Sequence, residues 1–210
     1  MHEDIILPNK SAYCIKGGGN LHEIDGAEEK AAGIIIFSHE TMWGPTSHNA
    51  ELARILNRNK LATLTPGPSG ASLPETDVFS QAEQLQYAAR WVREQPSMAR
   101  LPIGYFGTGA AGEAALIAAA REPDLVQAVV VRGNHPDDFA SLLPGIKAPT
   151  LFIAPGRNQN SVRSNQAALG KLNGKSAINI ISAASASFQE PGALEESAQL
   201  ASLWFLQHMM

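Results

Sequence analysis

Short runs of apolar residues alternate with longer segments of helical periodicity along most of the chain. Six of the runs are apolar at nearly every position, which is typical of strands that are covered on both faces of a sheet. Strands that alternate with helices in this way predict an α/β fold, a parallel sheet with crossover helices. The predicted strands cover residues 33–37, 61–65, 102–106, 128–131, 150–153 and 177–181.

The segments between these runs have apolar residues three or four positions apart, as expected of helices with one buried face. Two weaker apolar runs, near 5–7 and 12–15, predict antiparallel strands at the start of the chain. The predicted helices cover about 79–94, the Ala-rich segment 110–121, a segment with Ser161 as N-cap that ends at Asn173-Gly174, and the segment after Pro191-Gly192.

Length and composition favour a single globular domain over residues 1–210. The chain has 210 residues, of which 44% are hydrophobic and 17% charged, enough to bury a sizeable core. Residues 65–70 (TPGPSG) are interpreted as a stiff loop within the domain and not as a boundary. The net charge of −4 without a basic cluster argues against nucleic acid or an anionic membrane as a partner.

The cysteine and histidine content predicts a cytoplasmic protein without metal or cofactor. Cys14 is the only cysteine, so no internal disulfide can form, and this fits a reducing compartment. The acidic N-terminus lacks the features of a signal peptide, and no apolar run approaches the roughly 20 residues of a membrane span. The six histidines are scattered without metal-ligand spacing.

The most informative stretch is 101–112 (LPIGYFGTGAAG), where a strand meets a helix through small residues. One chemistry that uses such a turn is the nucleophile elbow, Gly-x-Ser-x-Gly, which holds a hydroxyl at the helix N-terminus. Gly109 stands at the serine position, and a glycine has no side chain that could attack a substrate. Thr108 is one residue away from that position.

The second chemistry is dinucleotide binding, because Gly107, Gly109 and Gly112 match the pattern Gly-x-Gly-x-x-Gly. In that interpretation Arg132, at the end of the next strand, would hold the 2′-phosphate of an NADP-type dinucleotide. The pattern lies near the middle of the chain, whereas this fingerprint normally opens its fold. Dinucleotide binding at Gly107–Gly112 therefore stays an alternative.

The segment 101–137 (LPIGYFGTGAAGEAALIAAAREPDLVQAVVVRGNHPD) resembles small hydrolases of the dienelactone-hydrolase branch of the α/β-hydrolases. The likeness extends to 33–39 (GIIIFSH), 61–64, 148–154 (APTLFIA) and 188–205 (FQEPGALEESAQLASLWF). The resemblance implies a mostly parallel sheet of about seven or eight strands with helices on both faces. Members of this group are sometimes fused to phosphoribosyltransferase domains.

Carried over residue by residue, the resemblance places the catalytic triad of the family on three residues that cannot form one. The nucleophile position is Gly109, the acid position after the strand 150–153 is Asn158, and the histidine position before Phe188 is Ala186. An amide cannot stabilise an imidazolium as a carboxylate does. The resemblance therefore predicts the fold of a hydrolase without its Ser/Asp/His chemistry.

Ligands of open α/β sheets bind beyond the carboxyl ends of the strands, which selects six candidate pocket residues. Glu40 as base, with His39 or His135 as acid, would allow proton transfer, and Arg132 would bind an anion. The structural alternatives are a loop histidine at 39, a solvated turn at 135, and an Arg132 paired with a neighbouring acid. The candidates are His39, Glu40, Trp43, Thr108, Arg132 and His135, with Trp43 either covering the pocket or packing on the next helix.

The function expected from these residues is that of a pseudoenzyme, which binds a small molecule or a protein partner in the former catalytic cleft. A homodimer is one form that such a partnership would take. The alternative within the same family is an enzyme that performs proton-transfer or cyclisation chemistry in this cleft. Dinucleotide binding is the third hypothesis.

Overall fold

The six predicted apolar runs are the parallel strands of one sheet in the computed structural model, which describes residues 19–22, 31–38, 47–66, 77–133 and 139–210. A seventh strand, five α-helices and one short 3-10 helix, Leu143–Gly145, complete the described part. The elements in chain order are β1 Gly19–His22, β2 Gly33–Ser38, α1 Ser47–Arg58, β3 Leu61–Pro66, α2 Val78–Glu94, β4 Ile103–Thr108, α3 Ala110–Arg121, β5 Ala128–Arg132, β6 Thr150–Pro155, α4 Gln159–Leu169, β7 Ser176–Ile181 and α5 Ala193–Met209.

The strands are arranged in the order β1-β3-β2-β4-β5-β6-β7. Within the described residues the sheet has seven strands, of which six, β2 to β7, are parallel, while β1 runs antiparallel to β3 with Gly19 opposite Pro66. β1 was not predicted, because its Gly19 and Asn20 lack the β-branched and aromatic signal of a strand. The antiparallel strands predicted at 5–7 and 12–15 lie outside the described residues.

Helices cover both faces of the sheet, as the resemblance implied. Strand residues alternate between the two faces, so that Ile34 and Ile36 pack on the side of α2 and α3, whereas Ile35 and Phe37 pack on the side of α1 and α5. Each continuous apolar run of the sequence therefore contributes alternate residues to two cores, one on each face of the sheet. Across the described ranges, no helix has both the length and the hydropathy needed to cross a bilayer.

The helix after β6 differs from its prediction at both ends. α4 begins at Gln159 with Asn158 as N-cap, and it ends at Leu169 instead of Asn173-Gly174. Ser161 is not the cap: its backbone N–H donates to Asn158 Oδ1 at 3.1 Å, and the residue is fully buried in the first turn. Because Asn and Ser are both good N-cap residues, the sequence offered two starts for this helix.

Candidate functional site

The carboxyl ends of the parallel strands meet at one edge of the sheet, where open α/β sheets bind ligands. The turns after β4, β6 and β7 lie along this edge and carry Gly109, Asn158 and Ala186. The structure thus brings the three predicted triad positions to the same side of the molecule. Four predicted pocket residues lie outside the described residues: His39, Glu40, Trp43 and His135.

Gly109 makes the entire turn between β4 and α3. The sequence predicted that the strand ends at Phe106, but β4 continues to Thr108 and α3 begins at Ala110. Gly109 bridges them with φ 56° and ψ −132°, a conformation that L residues adopt only under strain. Its N–H donates to the Arg132 carbonyl at 2.9 Å, which fixes the turn against the end of β5.

Gly107 allows α3 to lie directly against β4. A Cβ at this position would stand 2.4 Å from the Ala111 carbonyl oxygen and 2.6 Å from Gly112 Cα, both of them backbone atoms. The small residues at 107 and 112 are therefore required by the approach of helix and strand. This packing accounts for the glycine spacing that the dinucleotide hypothesis used.

Asn158 uses its side-chain oxygen to cap α4. The turn in which it lies is held to the next strand, because Gly156 N–H donates to the Ile181 carbonyl and Arg157 N–H to the Ala184 carbonyl, at 2.9 and 3.0 Å. The amide of Asn158 is half-buried and carries no charge. This side chain consequently has a structural partner within its own helix.

Ala186 is exposed in the loop between β7 and α5. Phe188, two residues later, is almost fully buried and has a φ of 52°, which is rare for a residue with a bulky side chain. The loop packs over the end of β5, since a Cβ on Gly133 would stand 3.6 Å from the Ala186 carbonyl oxygen. The backbone at Ala186 therefore lies beside the end of β5, and the side chain at this position is a methyl group.

Glu190 connects this loop to the turn after β6. Its carboxylate accepts a hydrogen bond from Ser185 N–H at 3.0 Å, and it lies 3.3 Å from Arg157 Nη1. The hydrogen bonds from Ser185, with a smaller contribution from the Arg157 charge, hold the pKa of Glu190 below its usual value. The two turns that carry Asn158 and Ala186 are thus joined by one carboxylate.

Arg132 ends β5, as predicted, and its side chain is buried between the sheet and α5, with 6% of its surface exposed. Nη1 donates to Ser197 Oγ at 3.1 Å. The guanidinium carbon lies 5.0 Å from the centre of the Phe188 ring and 5.9 Å from that of Phe106. Within the described residues, no carboxylate lies within ion-pair distance of Arg132.

Burial lowers the pKa of the Arg132 guanidinium to about 10, so the group is still charged at neutral pH. Thr108 is its register partner on β4, which places both side chains on the face of the sheet that α5 covers. Thr108 is half-buried there. Two predicted pocket residues, Thr108 and Arg132, are therefore neighbours beside Gly109.

Three contact residues of this edge were not singled out from the sequence: Phe188, Glu190 and Ser197. Ser197 did carry a signal, because it is one of two serines, with Ser202, on the mostly apolar buried face of α5 that includes Ala198 and Ala201. Glu190 and Phe188 lie within the stretch FQEPG, whose only signal in the sequence is the resemblance. Their contacts join segments that are distant in sequence.

Sequence comparison finds relatives in Mycobacterium tuberculosis. No family model matches the chain. In two strains of that organism, a protein named as a phosphoribosyl transferase is 37% identical over 189 residues, which cover 86% of this chain and 42% of the relative. The chain therefore spans about two-fifths of the length of these curated relatives.

Comparison with solved structures finds hydrolases. The dienelactone hydrolase from Anabaena variabilis has a TM-score of 0.87 and 36% identity, and the match covers 97% of this chain and 99% of that one. Est1E from Butyrivibrio proteoclasticus, with ferulic acid bound, has a TM-score of 0.76 at 12% identity, and it covers 94% of this chain and 99% of its own. An alpha-beta serine hydrolase homologue from Coxiella burnetii has a TM-score of 0.74 at 19% identity, with 94% and 98% covered.

The last two likenesses concern the fold alone, but the first combines fold, sequence identity and full coverage. The chain belongs to the α/β-hydrolase superfamily. Within that superfamily, its sequence and fold are similar to those of the Anabaena dienelactone hydrolase.

Proposed function

We propose that this chain is an α/β-hydrolase-fold protein that does not hydrolyse esters and instead binds a small molecule or a partner chain in its cleft. The observation that carries the proposal is Gly109. The turn between β4 and α3 has the strained strand-to-helix form of a nucleophile elbow, yet the residue at its apex has no side chain. Thr108, one residue earlier, belongs to the strand and points to the α5 side.

The residues at the other two triad positions support the same conclusion. The acid of a triad orients the histidine and stabilises the imidazolium with its negative charge. Asn158 has no charge, and its oxygen already caps α4. Ala186 offers no proton acceptor at the position of the histidine. None of the three positions therefore carries the residue type that a triad needs there as nucleophile, orienting acid or base.

The joint change has a physical explanation. Triad residues act as a unit, so that losing the nucleophile alone costs about as much activity as losing all three. Once Gly109 had replaced a nucleophile, an acid at 158 and a histidine at 186 would have had no catalytic role left. Asn158 and Ala186 now serve the local fold as a helix cap and a loop residue.

We do not extend phosphoribosyl transfer to this chain. The matched region is 42% of the curated relatives, and the fold of the described residues is that of a hydrolase. We infer instead that the chain corresponds to the hydrolase-like portion of such a relative. This inference fits the expectation that members of the dienelactone-hydrolase group occur fused to phosphoribosyltransferase domains.

The proposal predicts that the protein releases no p-nitrophenol from p-nitrophenyl acetate above the buffer rate and is not labelled by a fluorophosphonate probe. Both experiments detect an activated hydroxyl, and the fluorophosphonate does so by trapping a serine nucleophile covalently. Intact-mass spectrometry after incubation with the probe gives the labelled fraction. Stoichiometric labelling at any residue would overturn the proposal.

A rebuilt triad provides the matched positive control. We expect the triple variant Gly109→Ser, Asn158→Asp, Ala186→His to be labelled, because all three groups then occupy the positions that the resemblance assigns. The double variant Asn158→Asp, Ala186→His should stay unlabelled, since it lacks the nucleophile. A folded triple variant without labelling would show that the assignment of the three positions is wrong.

A further inference from the structure

β7 is the last strand of the sheet, and within the described residues it pairs with β6 alone. Every residue of β5 and β6 is buried, whereas in β7 only Ile181 is buried. Ile180 exposes 42% of its surface. The outer edge of β7 is therefore open to a further strand.

The ladder between β6 and β7 determines which backbone groups face outward. Thr150 N–H donates to the Lys175 carbonyl and Gly156 N–H to the Ile181 carbonyl, both at 2.9 Å. Within a strand the N–H and C=O of one residue point to the same side, and the side alternates from residue to residue. The odd-numbered residues of β7 therefore bond to β6. The backbone groups that point away from the sheet belong to Ser176, Ile178 and Ile180.

The sequence of β7 has neither the charges nor the proline that oppose pairing at an open edge. Natural proteins protect edge strands with charged side chains, proline, bulges or very short strands. β7 is six residues long and reads SAINII. Ile178 and Ile180 are β-branched, which favours a paired strand. The composition of β7 therefore favours the addition of a strand at this edge.

We propose that two copies of the protein associate through their β7 strands, which pair antiparallel about a two-fold axis at Ile178 and join the two sheets into one. This dimer goes beyond the proposed function, because the outer side of β7 is a surface other than the cleft at the carboxyl ends of the strands. In this register Ile178 lies opposite its own copy, and Ser176 lies opposite Ile180 of the partner subunit. Each of these residue pairs exchanges two hydrogen bonds, so the outward-facing backbone groups of all three residues are satisfied.

A second copy is the occupant that this edge fits, because the register is self-complementary. A two-fold interface places one patch against itself, and like charges directly opposite each other would destabilise it. Lys175, which precedes β7, would lie opposite Ile181 of the partner subunit and about 20 Å from its own copy. Ala177 would lie opposite Asn179 of the partner subunit, a pair without charge. The axis at Ile178 therefore brings no like charges together along the strand.

The helix beside β7 enlarges the contact. The six residues of β7 are fewer than the about 20–30 residues a side of a standard interface, so a stable dimer needs more than the two strands. α4 packs over β6 and β7. With strands about 4.8 Å apart, the two α4 helices of the dimer would lie about 10 Å from each other, close to the usual helix packing distance of about 8–10 Å. Arg163 is the only charged residue of α4, so few charges oppose this contact.

The first test is sedimentation velocity of the intact protein over a range of concentrations. We expect a monomer–dimer equilibrium with a Kd of about 10 µM or tighter. A protein that stays monomeric at about 100 µM, roughly ten times that Kd, would overturn the proposal.

Charge variants at position 178 test the register, because in β7 this residue alone lies opposite its own copy. Ile178→Lys and Ile178→Glu each bring like charges together on the axis, so each variant alone should dimerise roughly tenfold more weakly or worse. An equimolar mixture of the two should recover a dimer through an opposite-charge pair. Leu203→Lys, which adds a charge at an exposed position of α5, is the control and should dimerise as the wild type does. Folded variants that dimerise separately like the wild type, or whose mixture stays monomeric, would show that the register is wrong.

A disulfide trap tests the interface even if the charged variants fail to fold. Hydrogen-bonded antiparallel pairs have Cα atoms about 5.5 Å apart, within the range that a disulfide spans. In a Cys14→Ser background, which removes the only cysteine of the chain, Ile178→Cys should form a disulfide-linked dimer on mild oxidation. Leu203→Cys, at the exposed control position, should stay largely monomeric on a non-reducing gel. Equal crosslinking of the two variants would mean that β7 is not the interface.

Discussion

The glycine at 107 and the arginine at 132 differ in how far the sequence alone explains them. The sequence alone explains Gly107 as a small residue where a strand meets a helix. The structure identifies the backbone atoms with which a side chain at this position would clash. Arg132 was assigned to the end of a strand and to anion binding. Its partner Ser197 is 65 residues away, and a contact of that span depends on the packing of α5, which no local pattern encodes.

Gly107→Ala should destabilise the protein by about 1–3 kcal/mol or more, since the new methyl group would meet backbone atoms of α3 that cannot move aside. The measurement is the free energy of unfolding from urea denaturation. The matched control is Gly170→Ala, where the nearest atom is 3.7 Å away and φ is −70°. We expect the control to change stability by at most about 1 kcal/mol, in the stabilising direction. Equal losses in both variants would contradict the packing argument.

The elements were predictable where the sequence signal is continuous. The buried strands follow from unbroken apolar runs, and α3 was predicted with its observed bounds, Ala110–Arg121, from its Ala-rich segment. β1 escaped prediction because four residues, two of them Gly and Asn, form a strand only through pairing with β3. The start of α4 was misplaced because two capping residues lie within four positions of each other.

Asn158→Ala should reduce the free energy of unfolding by about 1 kcal/mol, within a range of about 0.5–2, because the Ser161 N–H loses its acceptor. Asn158→Asp should retain stability, since aspartate is an equally good N-cap. Asn160→Ala, an exposed change in the first turn of the same helix, is the control and should be nearly neutral. A neutral Asn158→Ala would mean that its amide does not cap α4.

The molecule as a whole is organised around β4, which carries Gly109 at its end. α3 packs on one face of this strand, and α5 packs on the other through the Phe205 ring, which would lie 2.6 Å from a Cβ on Gly104. The layered architecture was predictable from the alternation of strands and helices. Which helix packs on which face of the sheet was not predictable, because periodicity identifies the buried side of a helix but not the surface that it packs against.

Phe205→Ala should cost about 3–5 kcal/mol, the range for removing a buried aromatic ring from a core, because the ring is fully buried against the sheet. Leu203→Ala on the same helix is the control, as its side chain is 65% exposed, and it should change stability by less than about 0.5 kcal/mol. Thermal and urea unfolding both report the difference. Similar values for the two variants would show that α5 is not docked through Phe205.

The positive φ at Gly109 has an evolutionary consequence. A side chain in that conformation stores about 1–3 kcal/mol of backbone strain, which a catalytic serine must carry and a glycine does not. Under the proposed function, a reversion to serine would lower stability at once, while any gain in turnover would require two further replacements at distant turns. Marginally stable proteins tolerate few such steps, so selection for activity would not easily reverse the proposed loss of hydrolysis.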